Sequence, residues 1–552
     1  MPDQQPPTGP QGSQPGAGDD PWQNPGDQGL FANQGAQPGS SPAGGTESVD
    51  TATMVTAPTP SGGPGRTALI AGGAAAAVLL VGGGVYAYSV SGNETSEDLD
   101  CYIPASAAFF LEVDADPSAG QKLDAFKIAR KFPTLGAPTD HEDLRRWLVE
   151  AAGGNQGAAG EEWKEVEKWI GDRVAVAVMP GGSGSATAVP LIVLQTEDEG
   201  AAESFLKKSS AKQQTQSGSP LDYVVSEGWA YVRPGEETGT KTQTLLDEAK
   251  RSSLFDSKTY QEDMKTVGEK GILTGWVDVG KVAPLLETAN EQSGNLESRA
   301  QMKALMGQGI AGHGAWALRF DGDAVEVTGE MRDVSPKTEQ QGEAGVAKLP
   351  DDTLLAFGAT GMGKTVAGAW QQALQASGGQ DPTQMLAQFE KVYGLSLPDD
   401  LEALLGTSFT LAVGGSGTVA APEVGAKVMT EASDTAGPLQ ALSKLMTQAG
   451  MPLQHSTTKG GYTIATTSGY AKKLGTDGNL ASTDRFKKAV PKADGAGTVL
   501  YADVAGILEK YGTALTQGVP VPPELSKIDA IGMSSTVKDN GDSSFSLRLT
   551  TR

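Results

Sequence analysis

The chain has 552 residues, 20% of them charged, with a formal net charge of −24 and one cysteine. That length leaves room for a tail, a membrane segment and two or three domains. The acidity argues against nucleic acid and against anionic headgroups as partners, since both need a basic face, and a lone Cys101 excludes an intramolecular disulfide or a multi-cysteine metal site.

Residues 1–66 are mostly Pro, Gly, Gln, Ser and Asp, with Trp22 and Phe31 as the aromatics. Such a stretch cannot bury enough apolar surface to offset its ordering entropy, so a disordered, cytoplasmic tail is expected. Hydroxyls beside acids in Gly45–Thr53 would suit phosphorylation; a solvated low-complexity tail is the simpler reading. Thr67–Val90 (TALIAGGAAAAVLLVGGGVYAYSV) then runs 24 residues without a charge. As a helix it would extend ~36 Å, enough to cross a ~30 Å hydrocarbon core. Arg66 precedes it, and Glu94, Glu97, Asp98 and Asp100 follow. That asymmetry predicts a transmembrane helix with the N-terminus inside and the C-terminal part outside. A cleaved leader ending at Ala87-Tyr88-Ser89 fits less well, because residues 1–65 hold no Lys or Arg. Residues 91–101 form a juxtamembrane linker.

The outer part carries one plan twice. Pro104 leads into ASAAFFLEVD, ending at Asp114, and Pro350 into DDTLLAFGAT, ending at Thr360. VAVAVM and VPLIVLQT in the first copy answer to SFTLAV and EVGAKVMT in the second, each pair followed by a helical stretch, around 201–208 and 439–448. Hairpins follow at 221–232, turning at Glu227-Gly228, and at 455–466, turning at Lys459-Gly460-Gly461. ILTGWVD and TVLYAD each end in an aspartate, Asp278 or Asp503, that suits the N-cap of a helix. Each copy closes on a strand pair, with turns at Asp321-Gly322 and Asn540-Gly541. The expected fold is therefore α+β: two tandem copies of an antiparallel-sheet-plus-helices domain, preceded by a single transmembrane helix and a disordered tail. The copies are 102–334 and 346–552, joined by a polar linker at 335–345.

Tyr102-Ile103-Pro104-Ala105-Ser106-Ala107, Val113-Asp114-Ala115-Asp116-Pro117-Ser118, Gly120-Gln121-Lys122, Arg130-Lys131-Phe132-Pro133, Ser253–Ser257 and Leu349–Thr353 together resemble the actinobacterial single-pass membrane proteins of the domain-of-unknown-function family 3352. The resemblance spans roughly 100–552 and implies a disordered N-terminal tail, one span and a large outer region. It supplies no catalytic residue. The second copy lacks the Pro-Ser-x-Gly-Gln-Lys element.

Gly358-Ala359-Thr360-Gly361-Met362-Gly363-Lys364-Thr365 satisfies the phosphate-loop pattern in full, between a strand and a helix. A P-loop nucleotide-binding protein using Gly358–Thr365 is thus the alternative reading. Against it stand the outward topology, the absence of a glycine loop at Glu112–Ala119, and an antiparallel pattern around Asp278 and Asp503. The histidines, His141, His313 and His455, are scattered, and His313 reads as a turn residue rather than a base. Six tryptophans (147, 163, 169, 229, 276 and 316) lie in the first copy and one, Trp370, in the second; core packing is the expectation, and a carbohydrate- or lipid-contacting face the sharper alternative. The expected protein is a membrane-anchored cell-envelope protein with a duplicated extracytoplasmic domain, in the plasma membrane, contacting the bilayer through its helix and an envelope ligand or protein partner. Its role is binding or structural, with no catalytic, cofactor or metal residue and no cofactor.

Overall fold

Runs such as FFLEVD and SFTLAVG send alternate side chains to opposite faces, and both faces find helices to pack against. The computed structural model describes residues 98–132, 159–181, 188–234, 241–293, 311–335, 340, 342–376, 382–431, 435–515 and 520–552. All of these fall in one unit, Pro64–Arg552. The tail 1–66, the apolar run 67–90, residues 91–97, His141 and Trp147 lie outside the described residues. Among the described residues, no helix is long and apolar enough to cross a membrane.

The first half holds β1 (Phe109–Asp114), α1 (Ala119–Ala129), α2 (Ala159–Val166), β2 (Ile170–Pro180), β3 (Ala188–Thr196), α3 (Glu199–Ser217), β4 (Leu221–Ser226), β5 (Trp229–Pro234), α4 (Thr242–Arg251), α5 (Lys258–Val267), β6 (Leu273–Asp278), α6 (Val279–Ser293), β7 (Ala311–Asp321) and β8 (Ala324–Ser335). The second holds β9 (Thr353–Thr360), α7 (Met362–Ala376), α8 (Pro382–Tyr393), α9 (Asp399–Leu405), β10 (Ser408–Gly414), β11 (Val424–Met429), α10 (Ala436–Gln448), β12 (Gln454–Thr458), β13 (Gly461–Ala465), α11 (Ser468–Gly475), α12 (Asp484–Ala489), β14 (Thr498–Ala502), α13 (Val504–Leu515), β15 (Ile528–Val537) and β16 (Ser543–Thr551). The local signals explain the boundaries. Glu227 and Gly228 both take positive φ, 57° and 79°, as a two-residue hairpin turn requires. Asp278 Oδ1 accepts from Lys281 N (3.2 Å) and Asp503 Oδ1 from Gly506 N (2.6 Å), so both aspartates cap the helices that follow.

One antiparallel sheet contains all these strands, in the order β12-β13-β11-β10-β9-β14-β15-β16-β8-β7-β6-β1-β2-β3-β5-β4. Read outward from its middle, the first half runs β8-β7-β6-β1-β2-β3-β5-β4 and the second β16-β15-β14-β9-β10-β11-β13-β12, the same order strand for strand. The register matches too. Phe110 sits between Ala177 and Trp276, and Ala356 between Ala412 and Tyr501. On one face, α4 and α5 cover the Phe110–Trp276 core, and α11 and α12 cover the Ala356–Tyr501 core. On the other face lie α1 and α3 in the first half, α9 and α10 in the second.

The halves, expected as tandem domains, meet strand to strand. β8 pairs with β16, Thr328 opposite Ser546 and Glu326 opposite Arg548. Glu326 is 3% exposed. It accepts from Arg319 Nε at 3.0 Å and Ser546 Oγ at 3.0 Å, with Arg548 Nη1 at 3.5 Å. The expected linker is tied down as well: the Gln340 amide donates to Gly342 O and Gly495 O and accepts from Val537 N. Removing the Glu326 carboxylate leaves the Arg319 guanidinium partly buried without its anion and Arg548 with only the exposed Asp321 as partner. Glu326→Ala is expected to lower unfolding stability by about 3 kcal/mol, measured by urea denaturation, whereas Lys538→Ala, which removes a half-exposed ammonium paired to Glu330, should cost under about 1 kcal/mol.

Candidate functional site

The phosphate-loop pattern folds into something else. Gly358, Ala359 and Thr360 stay in β9, hydrogen-bonded on both sides to antiparallel β10 and β14. Only Gly361, at φ 67°, separates strand from helix. Four amides of the pattern are committed inside the protein: Thr360 N to Gly497 O (2.8 Å), Gly361 N to Thr407 O (2.8 Å), Gly363 N to Gly406 O (3.3 Å) and Thr365 N to Gly361 O (3.0 Å). The Thr365 hydroxyl donates to Gly361 O at 3.0 Å. Lys364 faces a groove that it shares with Asp399, Glu402 and Glu431. Three carboxylates against one ammonium make that groove unfavourable for a triphosphate.

A different constellation lies in the first half, on the face under α4 and α5. Glu112, at the centre of β1, is 2% exposed. It is ion-paired to Arg173 of β2 and reached by Lys270 Nζ at 3.4 Å. Asp98 Oδ1 closes the group, 3.5 Å from Arg173 Nη2 and 3.3 Å from Lys270 Nζ. Asp100 is 3% exposed; burial raises its pKa, with Lys270 pulling the other way. Burial also raises the Tyr260 phenol, and neighbouring Asp100 adds to the effect. Burial opposes the charge on Arg173 and Lys270, yet the surrounding carboxylates, Glu112 first, outweigh it and raise both. The Pro-Ser-x-Gly-Gln-Lys element positions this group from outside. Ser118 Oγ donates to Glu269 Oε1 (3.0 Å) and Gln121 Nε2 to Lys270 O (2.8 Å), fixing the backbone that carries Lys270.

The network's neighbour on α5 is Asp263, 0% exposed. It accepts from Trp276 Nε1 at 2.8 Å and pairs with His313 Nδ1 at 2.7 Å. His313 Nε2 lies 3.1 Å from exposed Asp333, and Arg332 Nη1 lies 3.4 Å from Asp263. Asp333 holds a positive φ of 50°, and its amide donates to Asp542 Oδ1 of the second half at 3.1 Å. His313 is thus a strand residue held between two carboxylates, where the sequence pointed to a plain turn. An imidazole oriented by a buried carboxylate can hold and pass a proton. Among the described residues, no set of three or more His, Cys, Asp or Glu side chains is arranged for a metal ion.

The second half places small or apolar residues at the same positions of the same scaffold. Opposite Glu112, Arg173, Asp98 and Asp100 stand Gly358, Ser408, Ala344 and Val346. A Cβ on Gly358 would meet Ala344 O at 2.4 Å and Val346 Cγ2 at 2.6 Å. Tyr260 and Trp276, edge to face at 5.7 Å, answer to Phe486 and Tyr501 at 5.0 Å. Asp263 and His313 answer to Ala489 and Ala530, 1% and 0% exposed. The fold therefore forms around this face with or without the charges.

Among the other sequence candidates, Trp163, Trp169, Trp229 and Trp276 are core residues, and Trp316 packs against the core under α1. Cys101 is half-buried in the turn Leu99–Tyr102. His455 lies on edge strand β12. Glu112, Arg173, Lys270 and Asp263 were not singled out by sequence, and Asp100 was read there only as one of the acids that follow the apolar run. The available signal was a charged residue inside an apolar strand run, as in FFLEVD, set against a small residue at the same place in the second half.

Residues 68–223 match the model of the family described as a protein of unknown function, DUF3352. That bears out the resemblance to this family alone, over a shorter span than expected, one that includes Asp98, Glu112, Arg173 and the Pro-Ser-x-Gly-Gln-Lys element but stops before Lys270 and Asp263. No curated protein and no solved structure matches the chain.

Two measurements probe the network. Burial pushes the Asp114 carboxyl up to about 6, against the pull of Arg173. A folded-state pKa above the unfolded value favours the protonated fold, so this contribution is full below about pH 4 and lost as pH rises through 6. Asp114→Asn is therefore expected to gain about 1–3 kcal/mol over the parent at pH 8 and little at pH 4, read from urea unfolding at both pH values. For the buried pair, Asp263→Ala or His313→Ala alone should each cost about 2–4 kcal/mol. The double substitution, which copies Ala489 and Ala530, should cost clearly less than the two added together.

Proposed function

We propose that this is a single-pass membrane-anchored cell-envelope protein whose duplicated outer region has a binding or structural role. The observation that carries the reading is the run Thr67–Val90, 24 residues without a charge, preceded by Arg66 and followed by four acids. The N-terminal tail is then cytoplasmic and residues 98–552 are extracytoplasmic in the plasma membrane. The identical strand order of the halves supports descent from one repeated unit. The committed amides at Gly358–Thr365 speak against nucleotide hydrolysis, and a solvent-accessible acidic surface suits a protein kept soluble outside the membrane.

The test is cysteine accessibility in intact cells. Leu123 and Val419 are 69% and 59% exposed, one in each half. In a Cys101→Ala background, Leu123→Cys and Val419→Cys should both react with a membrane-impermeant maleimide without permeabilisation. Reaction only after permeabilisation would overturn the topology.

A further inference from the structure

We propose that the second half binds a small phosphate-class anion in a groove over the ends of β10, β11 and β12. The groove has a volume of about 530 Å³ and is lined by Lys348, Lys427, Lys459, Ser408 and Thr458 and by the carboxylates Glu343 and Asp477. That volume falls within the range of small-molecule sites. The lysines converge from the turn Val346–Lys348, strand β11 and the β12–β13 turn.

Three observations point to an anion. First, the cations outnumber the carboxylates, in a chain whose net charge is −24. Lys427 Nζ pairs with Asp477 at 3.1 Å and Lys348 Nζ with Glu343 at 2.5 Å. Both carboxylates are exposed, 73% and 46%, so water can take their place at little cost. No ion pair of Lys459 is found among the described residues. Second, the Lys427 side chain is only 16% exposed although it rises from the middle of a strand. Its counterpart by register is Val193, fully buried in the first-half core. The scaffold therefore accepts an apolar residue at this place, and the second half carries an ammonium there instead. Third, the buried Thr458 hydroxyl has no hydrogen-bond partner in the protein.

The first half explains why the groove is open. Its counterparts of the lining residues Gly345, Lys348 and Ser408 are Leu99, Tyr102 and Arg173, and Trp229 stands where the second half has Gly461, just past the β12–β13 turn that carries Lys459. Leu99 is 0% exposed and Trp229 6%, and the Tyr102 ring lies 4.9 Å from Trp229. The same space is plugged by an aliphatic and two rings in one half and left to solvent and lysines in the other. Ammonium groups and hydroxyls suit the tetrahedral oxygens of a phosphate by charge-assisted hydrogen bonds. The site rests on the geometry of the second half and not on which side of a membrane it faces.

The test uses the full chain in a nonionic detergent. Inorganic phosphate is titrated calorimetrically, and thermal unfolding of every variant is recorded. Saturable binding is expected at millimolar phosphate or below. Lys427→Met should weaken it at least about tenfold while leaving the unfolding midpoint close to the parent's, as Val193 leads one to expect. Lys459→Ala should weaken it too, and Lys444→Ala, on α10 outside the groove, should not. Phosphatidylglycerol vesicles form a second arm: capture abolished by Lys427→Met identifies a lipid headgroup as the phosphate source, and phosphate binding without capture identifies a free anion. Absence of saturable phosphate binding together with absence of Lys427-dependent capture, or affinity unchanged in Lys427→Met, would overturn the proposal.

Discussion

The hydrogen-bonded pairing of β8 with β16 makes one sheet out of two halves. Strand edges expose unpaired N–H and C=O groups, and a half-sheet ending at β8 would present such an edge to solvent. Here each half's last strand satisfies the other's. The register puts Thr328 opposite Ser546, near the midpoint of each strand, so the two halves contribute alike to the seam. Glu326, buried between Arg319 and Arg548, then fixes that register, because a slip of one residue would carry the carboxylate to the other face.

With the scaffold shared, the interiors can diverge, and they diverge in opposite senses. The first half buries ion pairs around Glu112 and Asp263 and plugs its surface with Leu99, Tyr102 and Trp229. The second half fills the corresponding core with Ala356, Val346, Phe486, Ala489 and Ala530, and opens a lysine-lined groove at its surface. Buried ion pairs are commonly no more stabilising than well-packed apolar residues of similar volume. The second half is a working case of the apolar solution on the same strands. Stability alone is thus a poor reason for the charged core, and the contact from Asp333 to Asp542 shows that its outer end reaches the partner half.

Much of this architecture was legible in the sequence. The turns at Glu227-Gly228 and Asp321-Gly322, the capping aspartates Asp278 and Asp503, and the common order of elements could be read because their causes are local. Four features were not. The helix read around 201–208 runs from Glu199 to Ser217, since its last turns (AKQQTQS) show no apolar period. The phosphate-loop pattern at Gly358–Thr365 records residue types, whereas a cradle needs amides pointing outward, and here the carbonyls of Gly497, Thr407, Gly406 and Gly361 take four of them. The joining of the halves depends on edge-to-edge pairing between residues over 200 positions apart, which no local signal encodes. The charged core stayed hidden for a related reason: Glu112, Arg173 and Lys270 are far apart in the chain and meet only across β1, β2 and the β6 approach.

Native-state hydrogen exchange tests the central claim, that the seam makes the two halves one cooperative structure. If it does, the paired amides of β8 and β16 exchange only through the global opening, with the same free energy as β1 and β9 at the centres of the two halves. Exchange of β8 and β16 at a distinctly lower free energy, with the halves then unfolding in separate steps, would contradict it.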